Sequence, residues 1–152
     1  MDRRFYNKAF DALTLTELYD LMHLRQEVFI VEQNCPYQDA DNMDQVSEHI
    51  LAYDNDNKGL IACARIVPRI LPDKKYVSIG RVISKGAHRG TGLGKKLMQY
   101  AIKVCKDLHP KEHIKISAQV YALGFYSNLG FVATGPEYLE DDIPHRAMIL
   151  EV

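Results

Sequence analysis

A glycine-rich turn near the middle of the chain reads Arg89-Gly90-Thr91-Gly92-Leu93-Gly94. The preceding run, 76–84, has the apolar pattern of a strand, and residues 92–108 carry apolar side chains at helical spacing. Because glycine lacks a Cβ, this backbone can approach a ligand closely, and the free N–H groups of the following helix favour an anion. The stretch therefore predicts a diphosphate-binding turn between a strand and a helix, where Arg89 and Lys95 add positive charge.

The positions of the glycines distinguish this turn from two common nucleotide-binding motifs. The chain has no GxxxxGK[ST] sequence, which a Walker loop requires. The dinucleotide fingerprint GxGxxG also fails, because Lys95 stands where its last glycine would be. The spacing that is present is Arg-x-x-Gly-x-Gly.

The order of the other predicted elements indicates a mixed α/β chain. A first helix begins at Thr14, because Thr14 and Glu17 have the spacing of a capping box. Apolar periodicity and turn residues predict strands at 48–53, 60–67, 114–119, 131–134 and 146–151 and a short helix at 122–129. No linker-like segment divides the sequence, so we expect one domain over 1–152 with a central, partly antiparallel sheet.

Composition and charge limit the partners that we expect for this chain. The 152 residues carry a formal net charge of −1, so no overall field draws the protein to nucleic acid or an anionic membrane. No secretory signal is evident, and no apolar run approaches the roughly 18 residues of a membrane span. The 3 cysteines form no CxxC pair or Cys/His cluster, so we expect a cytoplasmic protein with reduced thiols and no metal site.

A second segment, 119–131, completes a resemblance to the GNAT superfamily of N-acetyltransferases. The strand, the Arg-x-x-Gly-x-Gly turn and the helix resemble the coenzyme A loop of that family. Tyr126 and Gly130-Phe131 occupy the places of the family's tyrosine and of its Gly-Phe pair. Gln119 stands where many members have asparagine, a departure that keeps an amide.

This resemblance implies a fold and a co-substrate. A GNAT-type domain has a mixed, mostly antiparallel α/β sheet of about six to seven strands flanked by about three to four helices. Here the sheet would splay between strands 76–84 and 114–119, acetyl-coenzyme A would fill the gap, and Tyr126 would protonate the departing thiolate. The implied acetyl-coenzyme A contacts are Val82, Ile83, Ser84, Arg89, Gly90, Thr91, Gly92, Leu93, Gly94, Lys95, Gln119 and Tyr126.

A narrower resemblance concerns the branch of the superfamily. Residues 25–37 and 140–145 are similar to the ElaA branch, which implies N-acetyltransferase activity without defining an acceptor. We expect direct transfer to a primary amine of a small molecule or protein, by a monomer or a homodimer. The acidic segment, 39–44, would suit a cationic acceptor. The residues expected to bind the acceptor are Arg25, Gln33, His49, Arg65 and His145.

Arginines lie on three faces that are otherwise apolar. Arg25 belongs to the first helix, whereas Arg65 and Arg81 belong to strands. A guanidinium buried without partners is costly, so each needs a carboxylate, a backbone oxygen or an anionic ligand. These arginines either line an acceptor pocket or form internal ion pairs that fix the first helix and the acidic segment on the sheet.

Attack on a thioester requires a neutral amine, so an ammonium acceptor must lose a proton to a base. The candidate bases are Glu32, His49, Glu140 and His145. We prefer Glu32 as a catalytic residue, followed by His145.

Two other functions remain compatible with the pattern. Residues 25–29, 41–44 and 65–68 loosely resemble acyl-homoserine-lactone synthases, although the intact coenzyme A loop favours coenzyme A over an acyl carrier protein. A non-catalytic module that senses acetyl-coenzyme A would carry the same loop. Turnover with amines would distinguish the N-acetyltransferase hypothesis from both alternatives.

Overall fold

A computed structural model of the protein describes residues 3–55, 59–69 and 76–152. From the first helix onward, strands and α-helices follow one another there in the predicted order. The strands are β1 (Arg3–Ala9), β2 (Glu48–Asp54), β3 (Leu60–Val67), β4 (Val77–Ser84), β5 (Ile114–Gln119), β6 (Val132–Glu140) and β7 (Ile143–Leu150). The α-helices are α1 (Leu15–Arg25), α2 (Leu93–Leu108) and α3 (Leu123–Ser127), and a π-helical segment, Gln26–Glu32, continues α1.

The described strands form one 7-stranded sheet in the order β1-β2-β3-β4-β5-β7-β6. Neighbouring strands are antiparallel except for β4 and β5, which are parallel. Only Val77↔Ile114 and Ser78↔Lys115 pair across that junction. Since β4 runs on to Ser84 and β5 to Gln119, the two strands separate beyond Ser78, and the predicted splay is confirmed.

Helices cover both faces of the sheet and bury two apolar clusters. The stripe of α2 packs on one face through residues such as Leu97, Met98 and Ala101, all fully buried. On the other face, Leu21 and Leu24 of α1 pack against β2 and β3. Removing these side chains from water is the main favourable contribution to folding, and it fixes both helices relative to the sheet.

The bounds of the last elements differ from the sequence prediction. Helix α3 ends at Ser127, short of the predicted 122–129, whereas β6 extends to Glu140 and β7 begins at Ile143. The longer hairpin forms because Glu140 pairs with Ile143 across a two-residue turn whose residues both have positive φ, as such tight turns require. The Gly135-Pro136 step hid the strand pattern of 135–140 in the sequence, and the register of β6 shifts between Thr134 and Tyr138.

Candidate active site

A bulge in β4 shapes the gap between β4 and β5. The register against β3 shifts between Cys63, which is opposite Ile83, and Arg65, which is opposite Gly80. The extra residue in β4 places Arg81 at φ 51°. This is a left-handed backbone conformation that residues other than glycine seldom adopt. The bulge turns the last residues of β4 at the point where their outer edge has left β5.

The gap opens into a cavity of about 1170 Å³. Its walls come from the π-helical segment, β4, β5, the residues up to Tyr126 of α3 and the β6–β7 hairpin. Of the residues expected to contact acetyl-coenzyme A, those that line it are Val82, Ile83, Ser84, Arg89, Gln119 and Tyr126. Of those expected at the acceptor or as the base, the lining residues are Glu32, Gln33, Arg65, Glu140 and His145.

The glycine turn places the start of α2 beside this cavity. Gly90 and Gly92 have φ of 76° and 83°, so the turn uses the conformational freedom that only glycine has without strain. Gly92 caps α2 without a side chain, which leaves the N–H groups of Leu93, Gly94 and Lys95 without partners inside the helix. Together with the helix dipole, these groups favour a phosphate there.

The residues of the turn differ in how close they lie to the cavity. A Cβ added at Gly94 would meet the Phe125 ring and Ser84 Oγ at 3.7 Å, so Gly94 faces the end of β4. Thr91 is exposed, and its hydroxyl accepts a hydrogen bond from Arg3 at 2.6 Å. Lys95 is exposed on α2 and does not line the cavity.

Arg89 connects the turn to the π-helical segment across the cavity rim. Its Nη2 donates to Glu32 Oε2 at 2.7 Å, and its Nε donates to the Ser84 carbonyl oxygen at 3.1 Å. The side chains of Arg89 and Glu32 are 48% and 38% exposed, so this ion pair is open to solvent and can exchange partners. Glu32, the preferred base in the sequence, therefore sits beside the predicted phosphate site and is already paired.

Tyr126 lines the cavity from α3 with its ring held by two aromatic neighbours. Phe125 and Phe131 pack against it edge-on, with ring centroids at 5.1 and 6.1 Å. Burial raises the pKa of the Tyr126 phenol to about 12, and Tyr121 adds a smaller contribution in the same direction. The phenol is therefore protonated throughout the neutral range and can donate a hydrogen bond into the cavity.

Arg25 and Arg81 share one carboxylate of the acidic segment. Arg25 is 1% exposed and donates from Nε to Asp39 Oδ2 at 2.9 Å and from Nη1 to Asp44 Oδ1 at 2.7 Å. Arg81 donates from Nε to Asp39 Oδ1 at 2.9 Å and from Nη2 to the Asp39 carbonyl oxygen at 3.0 Å. These contacts satisfy the strained Arg81 and anchor the acidic segment to β4.

Arg65 completes the same network from β3. Its Nη2 donates to Asp41 Oδ2 at 2.6 Å and its Nη1 to Asp44 Oδ1 at 2.9 Å, and hydrogen bonds from Arg65 hold the pKa of Asp41 well below its usual range. Internal ion pairs are therefore present at all the arginines on apolar faces. The acidic segment does not offer free carboxylates to a cationic acceptor, because each of its aspartates is engaged by an arginine.

Two residues expected at the acceptor lie elsewhere. Arg25 and His49 are each 1% exposed, and neither lines the cavity. The His49 Nε2 lies 2.9 Å from the Asp44 carbonyl oxygen, and burial lowers the pKa of its imidazole. Direct contact of Arg25 or His49 with an acceptor does not fit this burial, so we assign both to the support of the acidic segment.

The β6–β7 hairpin brings a histidine to the cavity. His145 is directly opposite Gln119 of β5 and Tyr138 of β6, and its ring stacks on that of Tyr138 with centroids 6.1 Å apart. Its Nδ1 lies 2.6 Å from the Ile143 carbonyl oxygen, and its Nε2 lies 3.4 Å from Glu140 Oε2.

Tyr37 and Ser117 also line the cavity and were not predicted from the sequence. Tyr37 donates its hydroxyl to Asp39 at 2.7 Å and carries the Arg81 guanidinium 5.6 Å from its ring centroid. The period-two alternation of β5 could have identified Ser117, which shares a face with Gln119. No local signal marks Tyr37, because its position depends on how segment 33–44 folds over β4.

The fold and the cavity together indicate a class of protein. A bulged strand and a splayed parallel junction line one cavity, and a glycine-capped helix begins beside the end of that strand. This arrangement suits a phosphate-bearing ligand held along a strand edge. No group of three or more metal-ligating side chains occurs in the described part of the chain. None of the described helices combines the length and the apolar character that a membrane span needs.

Comparison with known proteins identifies the family. A model described as "Acetyltransferase (GNAT) domain" matches residues 20–152. Protein ElaA of Escherichia coli strain K12 is 42% identical over 142 residues, which are 92% of this chain and 91% of that protein. The protein therefore belongs to the GNAT acetyltransferase family and is a homologue of ElaA.

Solved structures agree with this assignment over nearly the whole chain. An acyl-CoA N-acyltransferase from Pseudomonas aeruginosa superposes with a TM-score of 0.91 at 40% identity, covering 98% of this chain and 99% of that one. Escherichia coli ElaA superposes with a TM-score of 0.89 at 38% identity, covering 97% and 99%. The mixed α/β GNAT fold is thus confirmed.

Proposed function

We propose that the protein transfers an acetyl group from acetyl-coenzyme A directly to a primary amine. The observation that carries the proposal is the arrangement around one cavity. The free edge of β4 and Tyr126 line the cavity, and the start of α2, which no side chain caps, lies beside the end of β4. The Pseudomonas aeruginosa structure, whose name describes an acyl-CoA N-acyltransferase, supports the same donor class. We extend the proposal to residues 1–152 as one cytoplasmic domain, active as a monomer or a homodimer.

The donor would occupy the gap in a defined direction. The N–H groups of Leu93, Gly94 and Lys95 and the Arg89 guanidinium would hold the diphosphate at the start of α2. The free edge of β4 at Val82, Ile83 and Ser84 would bind the pantetheine amides through its backbone, as an added strand would. The thioester would then lie deeper in the gap, between the β4 bulge and Tyr126.

Transfer then needs only proximity, an oxyanion donor and a path for the protons. The nitrogen lone pair attacks the thioester carbonyl carbon and the C–N bond forms, while a backbone N–H near the bulge stabilises the oxyanion. The C–S bond then breaks, coenzyme A leaves as the thiolate, and the surplus proton on the new amide nitrogen passes to solvent. A phenol with a pKa of about 12 is a weaker acid than a thiol. Tyr126 therefore stabilises the developing thiolate by hydrogen bonding, and solvent completes the protonation of coenzyme A after release.

Thiol release from acetyl-coenzyme A tests this proposal. The purified protein should release free coenzyme A faster with spermidine, kanamycin or N-α-acetyl-lysine than without an amine, and the acetylated amine should appear in equal amount. Lactone formation from S-adenosylmethionine and an acylated carrier protein would support a homoserine-lactone synthase instead. Binding of acetyl-coenzyme A with no turnover on any amine would contradict the proposed enzyme and favour a sensing module.

A further inference from the structure

The β6–β7 hairpin holds one imidazole in a fixed tautomer. The Ile143 carbonyl oxygen can only accept a hydrogen bond, so the His145 Nδ1, at 2.6 Å, must carry the proton of that contact. In the neutral imidazole the lone pair is then on Nε2. His145 is thus prepared to accept a proton at one defined atom.

Packing fixes the direction of that lone pair. The His145 side chain is 8% exposed, its ring stacks on Tyr138, and Tyr138 is hydrogen-bonded to Ser117 of β5. Gln119, directly opposite His145, ends β5 immediately before the turn that leads into α3 and Tyr126. The histidine and the tyrosine therefore line the same cavity from adjoining elements.

The Glu140 carboxylate lies close enough to His145 to stabilise its protonated ring. Glu140 Oε2 lies 3.4 Å from His145 Nε2, beyond an ordinary hydrogen bond but close enough for a charge interaction with an imidazolium. The Glu140 side chain is 53% exposed at the cavity, so an incoming amine or one water molecule can reach the space beside it.

We propose that His145 Nε2 is the base that removes the proton from the ammonium form of the acceptor, with Glu140 as the positioning residue. This inference rests on the proposed function. His145 takes the proton before the C–N bond forms, and the imidazolium returns it to solvent after the product leaves. The Ile143 carbonyl oxygen and the Glu140 carboxylate both stabilise the charged ring during the interval.

The other candidate bases fit this role less well. Glu32 is paired with Arg89 at 2.7 Å, beside the residues that would hold the diphosphate. His49 is 1% exposed and lies outside the cavity lining. Since a base must reach the reacting nitrogen directly or through one water molecule, His145 has the better position.

A pH–rate profile of two matched variants tests the inference. His145→Asn keeps a donor near the Ile143 carbonyl oxygen but has no basic nitrogen, whereas Glu32→Gln removes the competing carboxylate. The acceptor is whichever of spermidine, kanamycin and N-α-acetyl-lysine the wild type acetylates fastest. Rates are measured from about pH 6 to about pH 10, a range that spans the ordinary ionisation of imidazole and of a primary ammonium.

The groups that face His145 in the described structure are few. Glu140 and Tyr138 face it from β6, the adjoining strand β5 contributes the uncharged Gln119, and Arg146 follows it on β7. For His145→Asn we expect kcat/KM to fall about a hundredfold to ten-thousandfold near neutral pH, with the defect shrinking toward pH 10 as free amine becomes abundant. Glu32→Gln should keep the rise of rate with pH that the wild type shows in its pH–rate profile.

Three results would overturn the inference. These are full activity of His145→Asn, a loss of the same factor at every pH, or loss of the rise of rate with pH in Glu32→Gln instead. If His145→Asn fails to fold, Glu140→Gln carries the test. Loss of the positioning carboxylate should lower kcat/KM more near neutral pH than at pH 10, and an unchanged pH–rate profile would contradict the role. A wild type without turnover on any of the amines would instead refute the proposed function itself.

Discussion

Arg81 shows how a single residue can reshape an active site. A positive φ in a non-glycine residue costs on the order of 1–3 kcal/mol, and here that conformation is held by two hydrogen bonds to Asp39. The bulge lies just beyond Ser78, where β4 stops pairing with β5, and it shapes the free edge of β4. The apolar pattern of 76–84 predicted the strand but not the bulge, because no glycine marks position 81.

Tyr126 carries the first prediction at this scale. Tyr126→Phe should keep the packing against Phe125 and Phe131 but remove the hydroxyl that stabilises the developing thiolate. A hydrogen bond to a charged group contributes about 1.5–3 kcal/mol, so we expect kcat to fall about 10-fold to 150-fold with little change in the KM for acetyl-coenzyme A. Steady-state kinetics with the amine from the thiol-release assay measures this, and full turnover in Tyr126→Phe would remove the proposed role.

The conformation of the segments proposed to hold the donor was easier to predict than the surroundings of the residues expected at the acceptor. The glycine turn and Tyr126 belong to short local motifs in which a few neighbouring residues determine the conformation. Arg25 and His49 depend instead on segment 39–44, which is distant in sequence and covers them only after folding. A charged residue on an apolar face reveals that it needs a partner, but the sequence does not say whether that partner is internal or a ligand.

At the scale of elements, the sequence predicted structure correctly where neighbouring residues satisfy one another's hydrogen bonds. The predicted capping box of α1 is present, with Glu17 N–H donating to Thr14 Oγ1 at 3.1 Å and Thr14 N–H donating to Glu17 Oε1 at 2.8 Å. The β6–β7 hairpin was underestimated because its register depends on pairing between strands. Consequently, the sequence identified His145 as a candidate base, but it did not predict the strand pairing that orients its side chain.

The capping box yields a prediction about pH and stability. Burial opposes ionisation of Glu17, but hydrogen bonds from Lys8, the Thr14 backbone and Tyr6 outweigh it and lower its pKa from 4.5 to about 2. Because the folded value is depressed, this stabilisation is complete above about pH 4.5 and is lost as the pH falls toward about 2. Glu17→Gln should therefore lower the free energy of unfolding by about 1–3 kcal/mol at neutral pH.

Urea denaturation of wild type and Glu17→Gln across the acid range measures this difference. The difference in the free energy of unfolding between the two proteins should narrow steadily below about pH 4.5. The Glu17 carboxylate of the unfolded wild type becomes protonated first, and that of the folded protein follows as the pH nears about 2. A gap that stays constant down to about pH 2.5 would show that shape rather than charge accounts for the effect.

At the scale of the whole molecule, the arginine–aspartate network joins parts that are far apart in sequence. It links α1 through Arg25, β3 through Arg65 and β4 through Arg81 to a single acidic segment, 39–44. Gln33 and Tyr37, which precede this segment in the chain, line the cavity. The stability of the fold and the shape of this wall of the cavity are therefore coupled through these ion pairs.

Removing Arg25 from the arginine–aspartate network should lower the free energy of unfolding strongly. Arg25→Met leaves Asp39 and Asp44 buried without their main partner, and loss of one member of a buried pair costs about 3–5 kcal/mol. Arg69→Met is a matched control, because Arg69 is 48% exposed and lies 3.6 Å from Glu112, and a surface pair contributes about 1 kcal/mol or less. Chemical denaturation of both variants checks this, and equal losses would contradict the account.

Binding of acetyl-coenzyme A tests the central claim most directly. A calorimetric titration compares the wild type with Gly94→Ala and Gly94→Asp, since a Cβ at Gly94 meets its neighbours at ordinary contact distance while a carboxylate there would oppose a diphosphate. We predict that wild type and Gly94→Ala bind, and that Gly94→Asp binds at least about tenfold more weakly, a loss of about 1.4 kcal/mol, without losing thermal stability. No binding by the wild type at millimolar acetyl-coenzyme A, or equal affinity in all three proteins, would contradict the assignment of the glycine turn.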